Sequence, residues 1–517
     1  MSKPVRIALL VSLWVCGSLL LPSAVGVAQT LGPPALQLPG AQFGGMYQRS
    51  SMPLGDPCLS WAGRASSVVC YPRFWMRREG RPMTRIARIS LVVCVLVSVI
   101  VIGGGAFVAS AQNLRKIVIF HDSTLLADQQ QVVAQSGSSM VHILSLINAL
   151  AVQLPAVGTA EALAFLQGNP LVQGVYDDMV GMVDGGSHPI CIASALPPVP
   201  QSYPWGLQTI DVPAVHPQWQ GSGVRVAVLD TGIDVSHPEL SPRVIGGYNA
   251  RAGEVLYVDD NGHGTHMAGI IAAELNNPVA GIIGVAPQAS FLAVKVLDQY
   301  GAGYLSDFIA GLQWVSNNGI PLAKLVNMSL GFSSGSLPLQ KAIQSLYTSG
   351  VIMVASAGNH CAQSPDQDEG GGGDCLGGPA LVCDPAQTAV KYPAAYPEVM
   401  AVVATDFYDD ITAYSLAGPQ VAVAAPGGSK ATGMRILSTH TGGGYGWGSG
   451  TSQAAAHVTG AIALALQKQP GLSFVQVKNF LQTTATKLTD PSTGLPYPST
   501  QQGAGLVNVY DMVQALP

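Results

Sequence analysis

Two hydrophobic rhythms divide the chain. From about residue 201 onward, short and almost wholly apolar runs (VRVAVL, ASFLAVKVL, AKLVNMSL, GVIMVASAG, VMAVVAT) alternate with longer runs of helical period (HMAGIIAAEL, LSDFIAGLQWVSNN, LPLQKAIQSLYTSG). A strand without a polar face must be covered on both sides, as in a parallel sheet between helix layers. The alternation therefore predicts a three-layer α/β fold over residues 201–517, with a mostly parallel central sheet. Residues 112–182 keep a different rhythm. RKIVIF reads as a strand and STLLADQQQVVAQ as a helix with Ser123 at its start. SMVHILSLINALAVQLP reads as two strands around a turn. GTAEALAFLQGN is a helix capped by Thr159 with Gly168 near its stop, and PLVQGVYDDM ends as a strand. The order β-α-β-β-α-β is that of a small ferredoxin-like α+β domain. Residues 183–200, rich in proline and small side chains, read as a linker.

Upstream the apolar runs are of export type. Lys3 and Arg6 precede IALLVSLWVCGSLLL, which predicts a signal peptide ending at Ala28. A second begins at Met83: Arg85 and Arg88 lead into ISLVVCVLVSVIVI, and ASAQ sets a cut after Ala111. Residues 83–111 are thus a signal peptide or, if residues 89–111 are retained, a membrane anchor just long enough to span a bilayer. Residues 1–82 are an N-terminal extension without readable periodicity. A translation start at Met76 or Met83 accounts for it, and any peptide from residues 29–75 in the precursor would contradict that start. Charged residues make up 10% of the chain and the formal net charge is −5, so no basic surface for nucleic acid is expected. The expected location is secreted or cell-envelope.

Candidate chemistry concentrates in three stretches. GSGTSQAAAHVTG, residues 448–460, runs from a glycine-rich turn into an apolar helix. Ser452 therefore falls near a helix N-terminus, where unpaired N–H groups favour developing negative charge. VRVAVL ends in Asp230, at the C-terminal sheet edge where open α/β folds place working residues. DDNGHGTHMAGIIAAEL carries a glycine-flanked His263 opening another helix. A serine hydroxyl is a weak nucleophile and needs a base, an imidazole has the right proton affinity, and a carboxylate can hold that imidazole in one tautomer. Singly, each residue has an ordinary structural explanation in capping or packing. Asp, His and Ser in that order on alternating strands and helices point to nucleophilic catalysis.

DTGID, HGTHMAG and GTSQAAAHVTG resemble the three catalytic blocks of the subtilisin-like serine proteases. GIIGVAPQASFLAVKVLD, LVNMSLGF, VIMVASAGN, AAYPEVMAVVATD and AAPGG extend the resemblance across residues 201–517. It implies catalysis by Asp230, His263 and Ser452, with His266 and His457 packed in the core. Asn359 would be the oxyanion donor together with the Ser452 N–H. Ser329, Leu330 and Gly331 would form an edge strand that pairs with an extended substrate and one wall of the primary pocket. Ser356, Ala357 and Gly358 would form the other wall. Two side chains there are unusual: Lys391 at the pocket floor and His360 at its rim. A cation in that pocket predicts preference for an acidic residue before the cut bond. In this position residues 112–182 resemble the inhibitory propeptide of the family, with residues 183–200 as its processing linker.

The resemblance also implies a structural calcium site at Gln201, Glu239 and Asn277, all hard oxygen donors. Glu239 stands where the family has Asp, and NNPVAGIIG is one residue longer than the expected loop. An insertion between Asn359 and Lys391 carries Cys361, Cys375 and Cys383, with Cys191 upstream; an exported protein would form a disulfide there, its pairing left open. Gln453 and Ala456 depart from the nucleophile block. The expectation is an exported, monomeric serine endopeptidase made as an autoprocessed zymogen, acting on proteins or peptides. The alternative is a catalytically weak relative kept for binding or scaffolding. An α/β-hydrolase lipase is disfavoured, since neither a Gly-x-Ser-x-Gly elbow nor the order Ser, Asp, His is present.

Overall fold

The apolar runs become a parallel sheet whose C-terminal edge gathers the candidate residues. The computed structural model describes residues 114–183, 191–193, 203–251, 253–275, 281–319, 324–360 and 388–517, with backbone alone at 191–193 and 318–319. Both N-terminal apolar runs, the cysteine-bearing insertion, Gln201 and Asn277 lie outside the described residues. No helix among the described residues is long and apolar enough to cross a membrane.

The first domain comprises β1 (Arg115–Phe120), α1 (Leu126–Gln135), β2 (Ser139–Leu144), β3 (Ala149–Gln153), α2 (Thr159–Gly168) and β4 (Val172–Asp177). Its antiparallel sheet has the order β2-β3-β1-β4, the ferredoxin-like arrangement expected. Two capping expectations fail. Thr124 N–H closes a turn on the His121 carbonyl at 2.8 Å, so α1 starts beyond Ser123, with Leu125 at its N-cap and no side-chain cap. Thr159 is already helical, after Gly158 in the left-handed region, and its hydroxyl donates back to Pro155 O at 2.6 Å. One sheet face packs on α1 and α2 through Val118, Phe120, Leu150 and Val152; the other sends Ile117, Ile119 and Ala151 into the core of the larger domain.

After β4 come β5 (Val180–Val183) and β6 (Cys191–Ala193), then the larger domain: β7 (Arg225–Asp230), β8 (Val244–Asn249), α3 (His263–Ala272), β9 (Ser290–Lys295), β10 (Ala302–Tyr304), α4 (Leu305–Trp314), β11 (Leu325–Met328), β12 (Leu330–Gly331), α5 (Leu337–Thr348) and β13 (Ile352–Ser356). It closes with β14 (Met400–Thr405), β15 (Val421–Pro426), β16 (Ile436–His440), β17 (Gly444–Gly448), α6 (Thr451–Lys468), α7 (Phe474–Thr483) and α8 (Val509–Ala515). Seven strands form one sheet, β15-β14-β13-β11-β7-β9-β8, parallel at every pairing. Burial explains the composition: Val226 to Leu229, Val326 and Ile352 to Ala355 are all fully buried, so both sheet faces are covered and a polar residue such as Asn327 needs an internal partner.

The first domain docks on α4 by charge as well as by apolar contact. Asp178, between β4 and β5, accepts from Ser306 N–H and Ser306 Oγ, each at 2.8 Å, satisfying donors in the first turn of α4. Arg115 Nε donates to the same carboxylate at 2.8 Å while its guanidinium lies 3.8 Å from the Tyr304 ring centroid. His142 Nε2 adds a bond to Asp307 at 2.7 Å. Burial is the largest influence on Asp178 and raises its pKa; Arg115 opposes the rise.

Candidate active site

Three neighbouring strands deliver the site at one sheet edge. Asp230 is the last residue of β7, Ser329 follows β11, and Asn359 lies three residues beyond β13. Parallel pairing of β7, β11 and β13 aligns these ends, the place where such sheets hold reactive groups.

Asp230 is fully buried. Its Oδ1 accepts from Thr231 N–H at 2.7 Å, and His263 Nδ1 donates to Oδ1 and Oδ2 at 2.8 and 3.0 Å. The imidazole is thereby held with Nε2 on the side opposite the carboxylate. Glycine makes this approach achievable: a Cβ on Gly264 would collide with the Gly232 carbonyl oxygen and sit 3.1 Å from Asp230 Cβ. A second carboxylate, missed in the sequence, organises the turn before α3. Asp259 is buried and accepts from Thr231 Oγ1, Asn261 N, Gly262 N, Thr265 N and Thr265 Oγ1, at 2.6 to 3.0 Å. Thr231 Oγ1 in turn accepts from Gly264 N–H at 3.0 Å, tying the β7 end to the helix that carries His263. The paired aspartates of DDNGHGTH were the only available signal, and they read equally well as a surface turn.

Ser452 is the second residue of α6, whose N-cap is Gly450 in extended conformation. It is fully buried, and its Oγ donates to the Ser329 carbonyl at 3.3 Å. Ser329 Oγ donates to the Ser452 carbonyl at 3.1 Å and accepts from Asn327 Nδ2 at 3.0 Å, which locks the two segments together. The next turn holds Asn359: its Oδ1 accepts from Thr451 N–H at 3.0 Å and Thr451 Oγ1 at 2.7 Å. With the oxygen so engaged, Nδ2 is the donor left over, and no partner takes it among the described residues. Gly358 N–H donates to the Thr451 side-chain Oγ1 at 3.2 Å and Ala357 N–H to the Val402 main-chain carbonyl at 2.9 Å, which fix the Ser356–Ala357–Gly358 segment.

The unusual pocket residues take distinct positions. A Cβ on Gly358 would lie 2.9 and 3.0 Å from Lys391 Cγ and Cδ, so the lysine stem runs along that wall. Lys391 N–H donates to Ala357 O at 2.9 Å. His360 N–H donates to Tyr414 O at 2.6 Å, and its buried Nδ1 has no partner among the described residues. His266 is fully buried and bonds Gly446 O through Nε2 at 3.1 Å; burial first, then the neighbouring His263, depresses it to about 3. His457 donates from Nδ1 to Gln453 O at 2.8 Å, and burial lowers it to about 4. Both histidines are core residues, as expected. Gln453 Oε1 is buried without a partner among the described residues, a cost of this departure.

Glu239 stands apart from the triad, against β17. Tyr445 OH and Ile282 N–H donate to its Oε1 at 2.7 and 3.1 Å, while Oε2 is buried without a partner among the described residues. Desolvation drives its pKa up to about 7. A buried, half-satisfied carboxylate fits a hard cation. Among the described residues no cluster of three or more His, Cys, Asp or Glu side chains could hold a metal, so the remaining donors would have to be amides, carbonyls or water.

The subtilase family model matches residues 221–505, more than half of the chain. Subtilisin BL and Subtilisin Savinase from Lederbergia lenta are each 42% identical over 309 residues, which cover 60% of this chain and 97% of theirs. Subtilisin E from Bacillus subtilis strain 168 is 37% identical over 390 residues, covering 75% of this chain and 86% of its own. The chain belongs to the subtilase family and is a serine-type endopeptidase.

Proposed function

We propose that Asp230, His263 and Ser452 carry the hydrolysis, and that the chain is an exported zymogen whose N-terminal domain is its own inhibitor. The observation that carries the catalytic assignment is the bond from His263 Nδ1 to buried Asp230, with Ser452 at the start of α6, next to the Thr451 that holds Asn359 Oδ1 and leaves Nδ2 as the remaining donor. His263 takes the Ser452 proton as Oγ attacks the substrate carbonyl, and Asp230 stabilises the resulting imidazolium. The tetrahedral oxyanion is received by Asn359 Nδ2 and Ser452 N–H. His263 then passes the proton to the leaving amine, and water releases the acyl group by the reverse steps. Substrates bind as extended protein or peptide strands along Leu330 and Gly331.

Support for the zymogen comes from the docking of Asp178 and Arg115 on α4, and support for export from the sequence upstream of residue 112. The protein acts as a monomer in the secreted or envelope space, membrane-bound only if residues 89–111 are retained. Glu239, with Gln201 and Asn277, would hold calcium, whose contribution is structural: it neutralises the buried carboxylate and clamps the β17 side of the domain. The buried Gln453 oxygen favours a second reading, a weakly active relative that binds rather than cleaves. Ser452→Ala in the full chain separates the two: an uncut precursor that no longer degrades casein supports catalysis, and a variant as active as the parent refutes it.

A further inference from the structure

The chain leaving the first domain runs along the strand assigned above to the substrate. β5 is the middle strand of an antiparallel three-stranded sheet, β10-β5-β12. Val180, Gly181 and Met182 pair with Tyr304, Gly303 and Ala302 on one side, while Met182 and Val183 pair with Gly331 and Leu330 on the other. Both ends are tied by the main chain: Leu305 N–H donates to Met179 O at 2.7 Å, and Val183 N–H to Gly301 O at 2.9 Å. Side chains of a strand point alternately to its two faces. Val180 is exposed and Met182 half-buried, whereas Gly181 and Val183 are buried. Positions 181 and 183 are therefore the ones whose side chains the larger domain has to accommodate.

The two inward places differ in room. Val183 fits beside the backbone of Gly301, where an added Cβ would lie 2.9 Å from Val183 Cγ2. At 181 there is space for no side chain. A Cβ on Gly181 would lie 2.6 Å from Phe332 Cε1, 2.8 Å from Cζ and 2.9 Å from Cδ1. Gly181 is not among the glycines with positive φ, so its lack of a side chain serves space and not backbone conformation. The ring has little freedom to yield. Phe332 is 1% exposed and meets Phe308 of α4 edge-on, with 5.6 Å between ring centroids. Its main chain is held on Tyr392: Phe332 N–H donates to Tyr392 O at 2.7 Å, and Tyr392 N–H to Phe332 O at 3.0 Å. A larger residue at 181 would have to displace a packed ring, the situation in which overfilling destabilises.

We infer that Phe332 closes this part of the substrate groove to side chains, so that the enzyme selects polypeptides with glycine two residues before the one paired with Leu330. The inference deepens the proposed function and rests on it, because it requires substrates to lie along Leu330 and Gly331 as β5 does. β5 is then a sample of the substrate class: an extended segment with glycine facing Phe332 and its neighbours turned toward solvent. Glycine is about 7% of residues in average proteins, so the requirement confines cleavage to a small share of peptide bonds. The enzyme is accordingly a selective endopeptidase and not a general digestive one.

The test uses enzyme matured from the full chain by its own activity. Two peptide series, Val-Xaa-Met-Val-Glu-Gly-Gly and Val-Xaa-Met-Val-Phe-Gly-Gly, carry Gly, Ala or Leu at Xaa, and mass spectrometry reads the bond that is cut. At the bond cut in the glycine peptide, kcat/KM is expected to fall roughly tenfold with Ala and roughly a hundredfold with Leu. Leu peptides cut there as fast as glycine peptides overturn the inference. Phe332→Val removes all three clashing ring atoms and keeps a strand-forming side chain, so it should cut the Leu and Gly peptides at similar rates; a folded variant that retains the full gap overturns the role of Phe332. A second measurement leaves Phe332 in place. Full-length Gly181→Leu should mature more slowly than Gly181→Ala, and that more slowly than the parent, with Phe332→Val restoring the rate of Gly181→Leu; equal maturation of all three overturns the inference. Loss of discrimination in a wild-type enzyme that still degrades casein counts against this inference alone. A wild-type chain that neither degrades casein nor takes a fluorophosphonate overturns the proposed function and the inference together.

Discussion

The proposed oxyanion donor is where a single atom has the clearest consequence. Asn359 Oδ1 is held by two bonds from Thr451, which fixes Nδ2 as the outward donor. Asn359→Leu should therefore lower kcat with little change in KM. The expected loss, about 10²–10³, is the size known for this donor in subtilisin and is carried over by kinship. A tenfold rise in KM at unchanged kcat would instead make Asn359 a binding residue. Gly264→Ala tests positioning: its Cβ would strike the Gly232 carbonyl, so the turn must open and His263 move from Asp230. Activity should fall, with a stability loss of about 1–3 kcal/mol. Full activity with an unchanged melting temperature would show that this close approach is dispensable. The placement of Asp230, His263 and Ser452 at a strand end and two helix starts was legible because each sits in a local strand-to-turn or turn-to-helix pattern. Asp259 was not: its five bonds converge from a strand end and a helix start distant in sequence, and nothing in DDNGHG separates a buried organiser from a solvated aspartate.

Elements were read well where burial sets the pattern and poorly where local competition decides. The seven parallel strands follow from apolar runs that cannot face water. Ser123 and Thr159, by contrast, have good capping chemistry but are displaced by a turn and by a left-handed Gly158. The cap that does matter between domains comes from Asp178, far in sequence from the helix it serves. Removing it should loosen docking twice over, by losing a cap worth about 1 kcal/mol and by leaving half-buried Arg115 with only its longer, 3.4 Å carboxylate contact, to Asp307. In the Ser452→Ala precursor, Asp178→Ala is expected to raise amide exchange in β1 and β4 while β13 and β14 stay protected. Unchanged exchange in β1 and β4 would contradict the docking role. Insertion of β5 between β10 and β12 could not be read from sequence, because it depends on how the first domain sits on α4.

For the whole molecule, buried histidines set the pH response. His216, His266 and His457 all have depressed pKa values, each chiefly through burial. In the folded chain they stay neutral, whereas in the unfolded chain they protonate near 6.5. At these histidines unfolding takes up protons, so they raise stability between about 4, where His457 titrates, and 6.5, against an opposing contribution from Glu239, whose pKa of about 7 makes the folded chain the better proton acceptor there. Each pKa unit of depression is worth about 1.4 kcal/mol at full effect. Melting of the Ser452→Ala precursor from pH 4 to 8 checks this; a melting temperature that climbs on acidification contradicts it. Calcium chelation at neutral pH should lower the melting temperature of the same protein by several degrees, and Glu239→Gln should remove that response. Identical melting with and without chelator would argue against a cation at Glu239. The most direct test of the catalytic assignment is fluorophosphonate labelling of the mature enzyme, with the modified peptide sequenced. The expected result is one adduct per molecule, on Ser452, with labelling slowed severely in His263→Ala. A folded enzyme that takes no label, or takes it on another residue, would contradict the account.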